Sequence, residues 1–308
     1  MTAATTFDTG TARSSWIGRC RAARWNLRRP PGGKPMMPDG PVVVGVDGSR
    51  RSVAAARWAA GEAALRHAPL HVLAVNPDPQ LNHLAKQTAR EIGEMCRETH
   101  PGLEVANMTE LGNPATQLVR ISALARLVVV GSRGRGALAG VLLGSVSTKV
   151  AGHAHCPVVV VREQHPRGPV VVGVDSSPHS RQALGFAFET ASVHGVDLVA
   201  AQVWRAERGA SSLDREAAAR ESAERSLSEQ LAGRRGDHPD VAVRELAVRG
   251  HPVAELTETA REALLLVVGH RGLGGFPGLL TGSVAMGVLH HATCPVAVVR
   301  DERSTGRR

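Results

Sequence analysis

The sequence predicts an α/β fold made of two tandem, doubly wound, parallel five-stranded sheets, each within an α/β/α sandwich. Three observations carry this prediction. The letters PVVVGVD occur at Pro41 and again at Pro169, short valine-rich runs alternate with alanine-rich stretches in both copies, and one glycine pattern recurs late in each copy. Alternation of strand and helix is typical of a parallel sheet with right-handed crossovers.

The two copies carry the same landmarks in the same order. The opening segments lie 128 residues apart, whereas HCPVVVVR from His155 and TCPVAVVR from Thr293 lie 138 residues apart. The second copy therefore has a net ten extra residues between Trp204 and Gly250, which we place in a longer second helix. We predict a basic tail at 1–40, a first domain at 41–163, a second domain at 168–301 and a tail at 302–308.

Nearly continuous apolar runs predict strands that helices cover on both faces. In the first copy the runs are Val42–Val46, Leu70–Val75, Leu103–Met108, Leu127–Val130 and Val158–Val161. In the second copy they are Val170–Val174, Leu198–Val203, Val241–Ala247, Leu264–Val268 and Val296–Val299. Helices are predicted between the strands, among them 52–66, 180–193 and the charged stretch 213–231.

Composition narrows the classes of partner. The net charge of +9 and a pI near 10.7 suggest nucleic acid or a membrane surface, but the arginines are scattered and only the tail at 1–40 concentrates basic charge. We expect a disordered tail and consider nucleic acid an unlikely ligand. No apolar run is long enough for a signal peptide or a membrane span, and the four cysteines form no CxxC pair. A cytoplasmic protein without a membrane partner is expected.

The glycine pattern is the main functional signal. It consists of Gly131, Gly134, Gly144 and Ser145 in the first copy and of Gly269, Gly272, Gly282 and Ser283 in the second. It begins where the fourth strand should end, and ligands of open α/β sheets bind beyond the carboxyl ends of strands. Glycines permit left-handed or tightly turned backbone and let N–H groups approach a ligand, and the serine precedes a helix whose N-terminus suits phosphate oxygens. The alternative is a surface loop that uses glycine only for turning.

An aspartate closes the first strand of each copy, in VGVDGS and VGVDSS. Asp47 and Asp175 would face the same crevice and could accept a hydrogen bond from an amino or hydroxyl group of a ligand. The alternative role is to cap the following helix. We favour ligand contact because Ser49 and Ser177 are nearby alternative caps.

The VVVGVDGS opening, the G-x2-G-x9-G-[ST] pattern and the CPVVVV closing strand resemble, in this order, the universal stress protein family over residues 41 to 300. The glycine pattern is similar to that of the family's ATP-binding branch. This resemblance implies domains that pair through their last strands, ATP with or without Mg²⁺ as the bound nucleotide, and a regulator or effector of the stress response. It is also compatible with a homodimer and with an unidentified protein partner.

The resemblance also implies roles for individual residues. Asp47 and Asp175 would contact the adenosine end, and Val75 and Val203 would pack on adenine. The phosphates and ribose would be held by Gly131, Gly134, Gly144, Ser145 and Val146 in one copy and by Gly269, Gly272, Gly282, Ser283 and Val284 in the other. Val46 and Val174, which precede the aspartates, and Arg133 and Arg271, within reach of a phosphate, complete the candidate sites.

The copies differ at two positions of the candidate sites. Ser147 offers a further hydroxyl where the second copy has Ala285, so the second site could hold the terminal phosphate or its metal less well. His270 replaces Ser132; we expect an exposed loop histidine, with a titratable ligand contact as the alternative.

Other chemistry finds little support in the sequence. The pairs His153–Cys156 and His291–Cys294 supply only two metal ligands per domain, so no metal site is predicted. Walker A, GxSxG and HExxH motifs are absent, and the glycine pattern supplies no evident general base. Enzyme activity is therefore at most slow ATP hydrolysis or self-phosphorylation, and a nucleotide-independent interaction scaffold stays open as an alternative function.

Overall fold

The computed structural model describes residues 40–134, 143–162, 167–205, 213–272 and 281–300. The two predicted tails, apart from residue 40, lie outside these described residues. The remaining chain forms one mixed sheet of ten strands in the order β3-β2-β1-β4-β5-β10-β9-β6-β7-β8. The strands are β1 (Val42–Val46), β2 (Leu70–Asn76), β3 (Val105–Leu111), β4 (Leu127–Gly131), β5 (Val158–Val161), β6 (Val170–Gly173), β7 (Leu198–Trp204), β8 (Val243–Arg249), β9 (Leu265–Gly269) and β10 (Val296–Val299).

Each half contributes five parallel strands, as predicted, and the halves meet through their last strands. β5 and β10 pair antiparallel, with Val159 opposite Ala297 at the centre of the register. Within the first half the order 3-2-1-4-5 reverses between β1 and β4, and within the second it reverses between β6 and β9. These two reversals are the points at which an open α/β sheet forms a crevice.

Eight helices cover the described part of the sheet. They are α1 (Arg50–Leu65), α2 (Asn82–Thr99), α3 (Pro114–Ile121), α4 (Ser145–His153), α5 (Pro178–His194), α6 (Leu213–Arg235), α7 (Pro252–Thr259) and α8 (Ser283–His291), with a short 3₁₀ helix at Pro79–Leu81. α6 has 23 residues and α2 has 18, so the helix is longer as predicted but holds only five of the ten extra residues. The rest is divided between the chain before and after that helix.

Two strands differ from their predicted bounds by two to three residues. β3 begins at Val105 and continues to Leu111, and β8 begins at Val243 and continues to Arg249. Both lie at edges of the sheet, where pairing with β2 and β7 continues through polar residues such as Glu110. The run of apolar letters therefore underestimates their carboxyl ends, because an edge strand needs fewer buried side chains.

Alanine allows α1 to pack closely on the sheet. Its fully buried face includes Ala55, Ala59 and Ala63, which belong to the same apolar cluster as Val42 and Val44 of β1. Small side chains let a helix lie near strands without leaving voids, so the core remains densely packed. The same cluster continues into α5 and the strands of the second half, and the halves therefore share one core on this face of the sheet.

A buried polar network also joins the halves where α1 meets α5. Glu62, which is 1% exposed, accepts hydrogen bonds from Arg66 on its own helix and from His194 Nε2 of the second half at 2.7 Å. Arg66 in turn pairs with Glu189 and donates to Thr190 Oγ1 at 3.0 Å. Burial by itself raises the pKa of the Glu62 carboxyl, but the hydrogen bond from His194 and the charge of Arg66 outweigh burial and lower it below its usual value. The carboxylate therefore stays charged at the interface.

Candidate functional site

A cavity lies at each strand-order reversal. The cavity of the first half has a volume of about 780 Å³ and that of the second half about 470 Å³. Both fall within the range of about 300–1,000 Å³ that is usual for small-molecule sites. Each cavity opens at the carboxyl ends of two neighbouring parallel strands, β1 and β4 in one half and β6 and β9 in the other.

Every predicted site residue of the first copy lines the first cavity. These residues are Val46, Asp47, Val75, Gly131, Arg133, Gly134, Gly144, Ser145, Val146 and Ser147. The second cavity is lined in the same way by Val174, Asp175, Val203, Gly269, Arg271, Gly272, Gly282, Ser283 and Val284. The stretches 135–142 and 273–280, which complete the two glycine patterns, lie outside the described residues. Contact of these residues with a nucleotide stays a prediction.

The aspartate of each cavity is oriented by the backbone of the turn that follows it. Asp47 Oδ1 accepts a hydrogen bond from the Ser49 N–H at 3.0 Å, and Asp175 Oδ1 accepts one from the Ser177 N–H at 3.0 Å. Capping of the following helices falls to the serines, since the side chain of Ser49 accepts from Ser52 N. The cap role is therefore taken by Ser49 and Ser177, and the aspartates remain in the cavity walls.

Ser52 and Ser180 are cavity residues that the sequence analysis did not identify. Ser52 Oγ accepts from the Asp47 N–H at 3.3 Å and donates to the Ser49 carbonyl at 2.9 Å, and Ser180 Oγ accepts from the Asp175 N–H at 2.8 Å. Both serines are buried and line the cavities. Their recurrence at the same place in VDGSRRS and VDSSPHS was a signal that could have found them.

The apolar wall was only partly predicted. Besides Val75, the first cavity is lined by Leu73, Pro114 and Leu118, and the second by Ala201, Pro252 and Leu256. Leu73 lies two residues before Val75 on β2, so the strand alternation could have indicated it. The prolines belong to the segments GNPA and GHPVA, which begin at Gly112 and Gly250 and lie 138 residues apart like the closing strands.

The described glycines of the two glycine patterns allow close approach and do not adopt left-handed backbone. Positive φ occurs at Gly48, Gly102, Gly112 and Gly195 among the described glycines, so of the expected alternatives, left-handed or tightly turned backbone, the left-handed one does not apply to the described members of the pattern. A Cβ added to Gly134 would lie 2.3 Å from Asp47 Oδ2, and one added to Gly272 would lie 2.4 Å from Asp175 Oδ2. Absence of a side chain therefore lets the loop backbone lie directly against the carboxylate.

The helix that follows each glycine pattern begins at the cavity, and among the described residues no side chain caps its N-terminus. Gly144 is the N-cap of α4 and Gly282 that of α8, and neither supplies a side-chain cap. The first N–H groups of an α-helix have no partner within the helix, and they carry the positive end of its dipole. This end of each helix, which lines the cavity, is suited to an anion.

The two loops are held by different contacts. In the first half, Ser147 Oγ donates to the Gly131 carbonyl at 2.7 Å and so ties the start of α4 to the end of β4. Its hydroxyl hydrogen is thus used within the protein, although we expected it for a phosphate. In the second half this position is Ala285, and His270 of the loop is 2% exposed, so the expected exposed histidine was wrong.

The histidine–cysteine pairs contain buried thiols. Burial raises the pKa of Cys156 far above its usual value and that of Cys294 to about 11, so both remain protonated near neutral pH. Among the described residues no group of three or more His, Cys, Asp or Glu side chains is arranged to hold a metal ion. None of the helices in the described ranges has the length and apolarity needed to traverse a lipid bilayer.

The fold and the two crevices define a tandem doubly wound α/β protein with one candidate ligand site per half. The model of the universal stress protein family matches residues 40–162 and again residues 166–300. A universal stress protein of Mycolicibacterium smegmatis is 40% identical over 284 residues, which cover 84% of this chain and 96% of the relative. The chain therefore belongs to the universal stress protein family.

A solved structure of similar extent agrees with this fold. A universal stress protein from Archaeoglobus fulgidus superimposes with a TM-score of 0.65 at 21% identity and covers 86% of this chain and 98% of its own. A shorter universal stress protein from the same organism, solved in complex with dAMP, matches 41% of this chain and all of its own length at 26% identity, with a TM-score of 0.35.

Proposed function

We propose that this universal stress protein binds ATP in both halves and acts as a nucleotide-dependent regulator of a stress response. The observation that carries the proposal is the same in each half. A carboxylate, an apolar wall and an uncapped helix N-terminus converge on one cavity at the strand-order reversal. In an adenine nucleotide, the apolar wall would suit the base, the carboxylate would suit an amino or hydroxyl group of the adenosine end, and the helix N-terminus would suit the phosphates.

The apolar wall and the aspartate suit the adenosine end. Val75 and Leu118 would contact the flat faces of adenine, and Asp47 would accept hydrogen bonds from an amino or hydroxyl group, with Val203, Leu256 and Asp175 in the same places in the second half. Because Ser49 and Ser52 fix the aspartate turn, Asp47 would need little reorganisation on binding.

The glycine loop and the helix N-terminus suit the phosphates. The N–H groups of Ser145 and Val146 would donate to phosphate oxygens, and Arg133 at the cavity wall would add positive charge. An ion such as Mg²⁺ would arrive bridging the phosphates. The proposed regulatory step is that occupancy of a cavity changes how the halves pack or which protein docks.

The proposal is tested on the full chain in two ways. Nucleotide released from the purified protein by denaturation is separated on a nucleotide-resolving column, and ATP is titrated into nucleotide-free protein in a calorimeter. We expect adenine nucleotide in the extract and saturable binding. The double substitution Gly134→Val and Gly272→Val should abolish both signals, because each added side chain would displace the aspartate.

The matched control is Gly233→Ala on α6, where nothing lies within 4 Å of the added Cβ. It should bind ATP like the unmodified protein. An extract without adenine nucleotide, together with no heat of ATP binding, would overturn the proposal and favour a nucleotide-independent scaffold.

A further inference from the structure

The second glycine loop contacts the first half of the molecule. His270 lies between Gly269 and Arg271, both of which line the second cavity. Its Nε2 is 3.1 Å from the carbonyl oxygen of Gly152, which belongs to the last turn of α4 in the first half. A loop of one candidate site is thus attached to the helix whose N-terminus lines the other.

Two further groups of the second half meet the same glycine. Arg300, which follows β10, donates to the Gly152 carbonyl at 2.8 Å. A Cβ added to Gly152 would lie 3.0 Å from Thr281 Oγ1, and Thr281 lines the second cavity next to Gly282. His270, Arg300 and Thr281 thus all contact Gly152, and all three lie in or beside the second site.

The neutral histidine contacts both Gly152 and Arg300. Burial and the charge of Arg300 together lower the pKa of His270 to about 4, so the ring is neutral near pH 7. A neutral imidazole carries one N–H, and the Gly152 carbonyl beside Nε2 can only accept. Nε2 also lies 3.2 Å from the Arg300 guanidinium, which can only donate. His270 is therefore joined to the Gly152 carbonyl either by its own Nε2–H or through Arg300, which donates to the same carbonyl.

Only the arginine part of this contact has a counterpart in the reverse direction. Arg162, which follows β5 in the first half, donates to the carbonyls of Leu289 at 2.6 Å and His290 at 3.2 Å at the end of α8. Arg162 is the counterpart of Arg300 and not of His270, whose counterpart is the shorter Ser132. The first loop is instead tied within its own half, through Ser147 and the Gly131 carbonyl.

We propose that His270 is a positioning residue that makes the second nucleotide site depend on the first half, whereas Ser147 makes the first site self-supporting. Ala285 lacks the hydroxyl that holds the first loop, and the contact of His270 with Gly152 and Arg300 substitutes for it. This inference rests on the proposed nucleotide binding. It adds that the loop of the second site is positioned by a contact with the first half.

The test separates the two sites in the full chain. Gly134→Val leaves only the second site able to bind, and Gly272→Val leaves only the first. In each background, ATP affinity is measured by calorimetry with His270 intact, with His270→Ser, which is the residue of the first copy, and with His270→Gln, whose amide can still donate to Gly152. Circular dichroism and the thermal midpoint report on folding.

With only the second site active, we expect His270→Ser to weaken ATP binding about 3- to 10-fold, the effect of one lost hydrogen bond, and His270→Gln to restore most of it. With only the first site active, both substitutions should change the affinity less than about twofold. Gly152→Ala, placed in the first half, should also weaken only the second site, because its methyl group meets Thr281.

The outcomes are distinguishable. Normal second-site affinity in both His270→Ser and Gly152→Ala would overturn the positioning role while leaving nucleotide binding intact, and so would equal losses at both sites. If neither single-site background binds ATP although the unsubstituted protein does, Gly134→Val and Gly272→Val are replaced by Asp47→Ala and Asp175→Ala. If the unsubstituted protein does not bind ATP, the proposed function fails and this inference fails with it.

Discussion

The two halves have the same order of strands and helices, but their cavities are held and shaped differently. The second cavity is smaller by volume, about 470 against 780 Å³, although it has Ala201 and Ala285 where the first has Leu73 and Ser147. The sizes of these two side chains therefore do not set the cavity volume. The loop beside the second cavity is attached to the other half through His270, whereas the first loop is tied within its own half through Ser147.

A second difference lies where α1 and α5 meet. The first half presents Glu62 and Arg66, and the equivalent positions of the second half are Thr190 and His194. The four side chains complement each other across the interface, since the carboxylate accepts from the imidazole and the guanidinium donates to the hydroxyl. Once two copies are joined in one chain, each can change on its own, and the interface no longer has to be self-complementary.

The largest expected effect tests this interface. Glu62→Ala removes the buried carboxylate and leaves Arg66 and His194 without their shared partner. We expect a loss of about 3–5 kcal/mol in the free energy of unfolding, measured by urea denaturation, as for other broken buried ion pairs. Glu221→Ala, which breaks an exposed pair with Arg225, is the control and should change stability by less than about 1 kcal/mol. Similar values for the two variants would contradict a structural role for the network.

The next largest effect compares the aspartates. Asp47→Ala and Asp175→Ala should each weaken ATP binding at their own site about 10- to 100-fold, because a charged hydrogen-bond acceptor is lost. Two-site calorimetry of each variant measures this. Asp240→Ala is a suitable control, since Asp240 is an exposed carboxylate that bonds to Ser192 and lies outside both cavities. If both aspartate variants bind ATP with unchanged affinity, the carboxylates do not contact the nucleotide.

The pH dependence of stability tests the difference between the halves at the position of Ser132 and His270, because only His270 can take up a proton. The pKa of His270 is lowered from 6.5 to about 4, so between these values the unfolded chain binds a proton that the folded chain does not. The free energy of unfolding should therefore fall as the pH decreases from about 6.5 to about 4. Above pH 6.5 the histidine is neutral in both states and no longer affects stability. In thermal scans, the decline in the free energy of unfolding should be smaller by about 2–3 kcal/mol in His270→Gln than in the unmodified protein, since one buried neutral histidine is removed. Parallel declines in the two proteins would contradict burial of His270.

The smallest expected effect exchanges the serine between the sites. Ser147→Ala gives the first site the alanine of the second and removes the hydrogen bond to the Gly131 carbonyl. We expect about 3- to 10-fold weaker ATP binding at the first site, in keeping with about 0.5–1.5 kcal/mol for one hydrogen bond. The reciprocal Ala285→Ser should make the second site less sensitive to His270→Ser. If neither substitution changes ATP binding, the contacts that hold the loops do not contribute to the affinity.

Much of the fold and the outline of the site could be predicted from the sequence. Valine runs and the repeat located all ten strands, and the aspartates and glycines of the repeat indicated the two cavity positions at strand ends. Ser52 and Leu118 were missed because their roles depend on what packs against them, a hydrogen bond to the Asp47 N–H and a position under Gly45. The ends of β3 and β8 were missed because pairing at a sheet edge continues without apolar side chains.

The sequence by itself determined the duplication, the strand and helix order and the residues that gather at the carboxyl ends of the strands. These follow from local patterns, since period, apolarity and glycine placement act over a few residues. Only the tertiary structure decided that His270 is buried against Gly152, that Glu62 meets His194 and that the cavities differ in volume. Those contacts join residues more than 100 positions apart, and their formation depends on how β5 and β10 bring the two halves together.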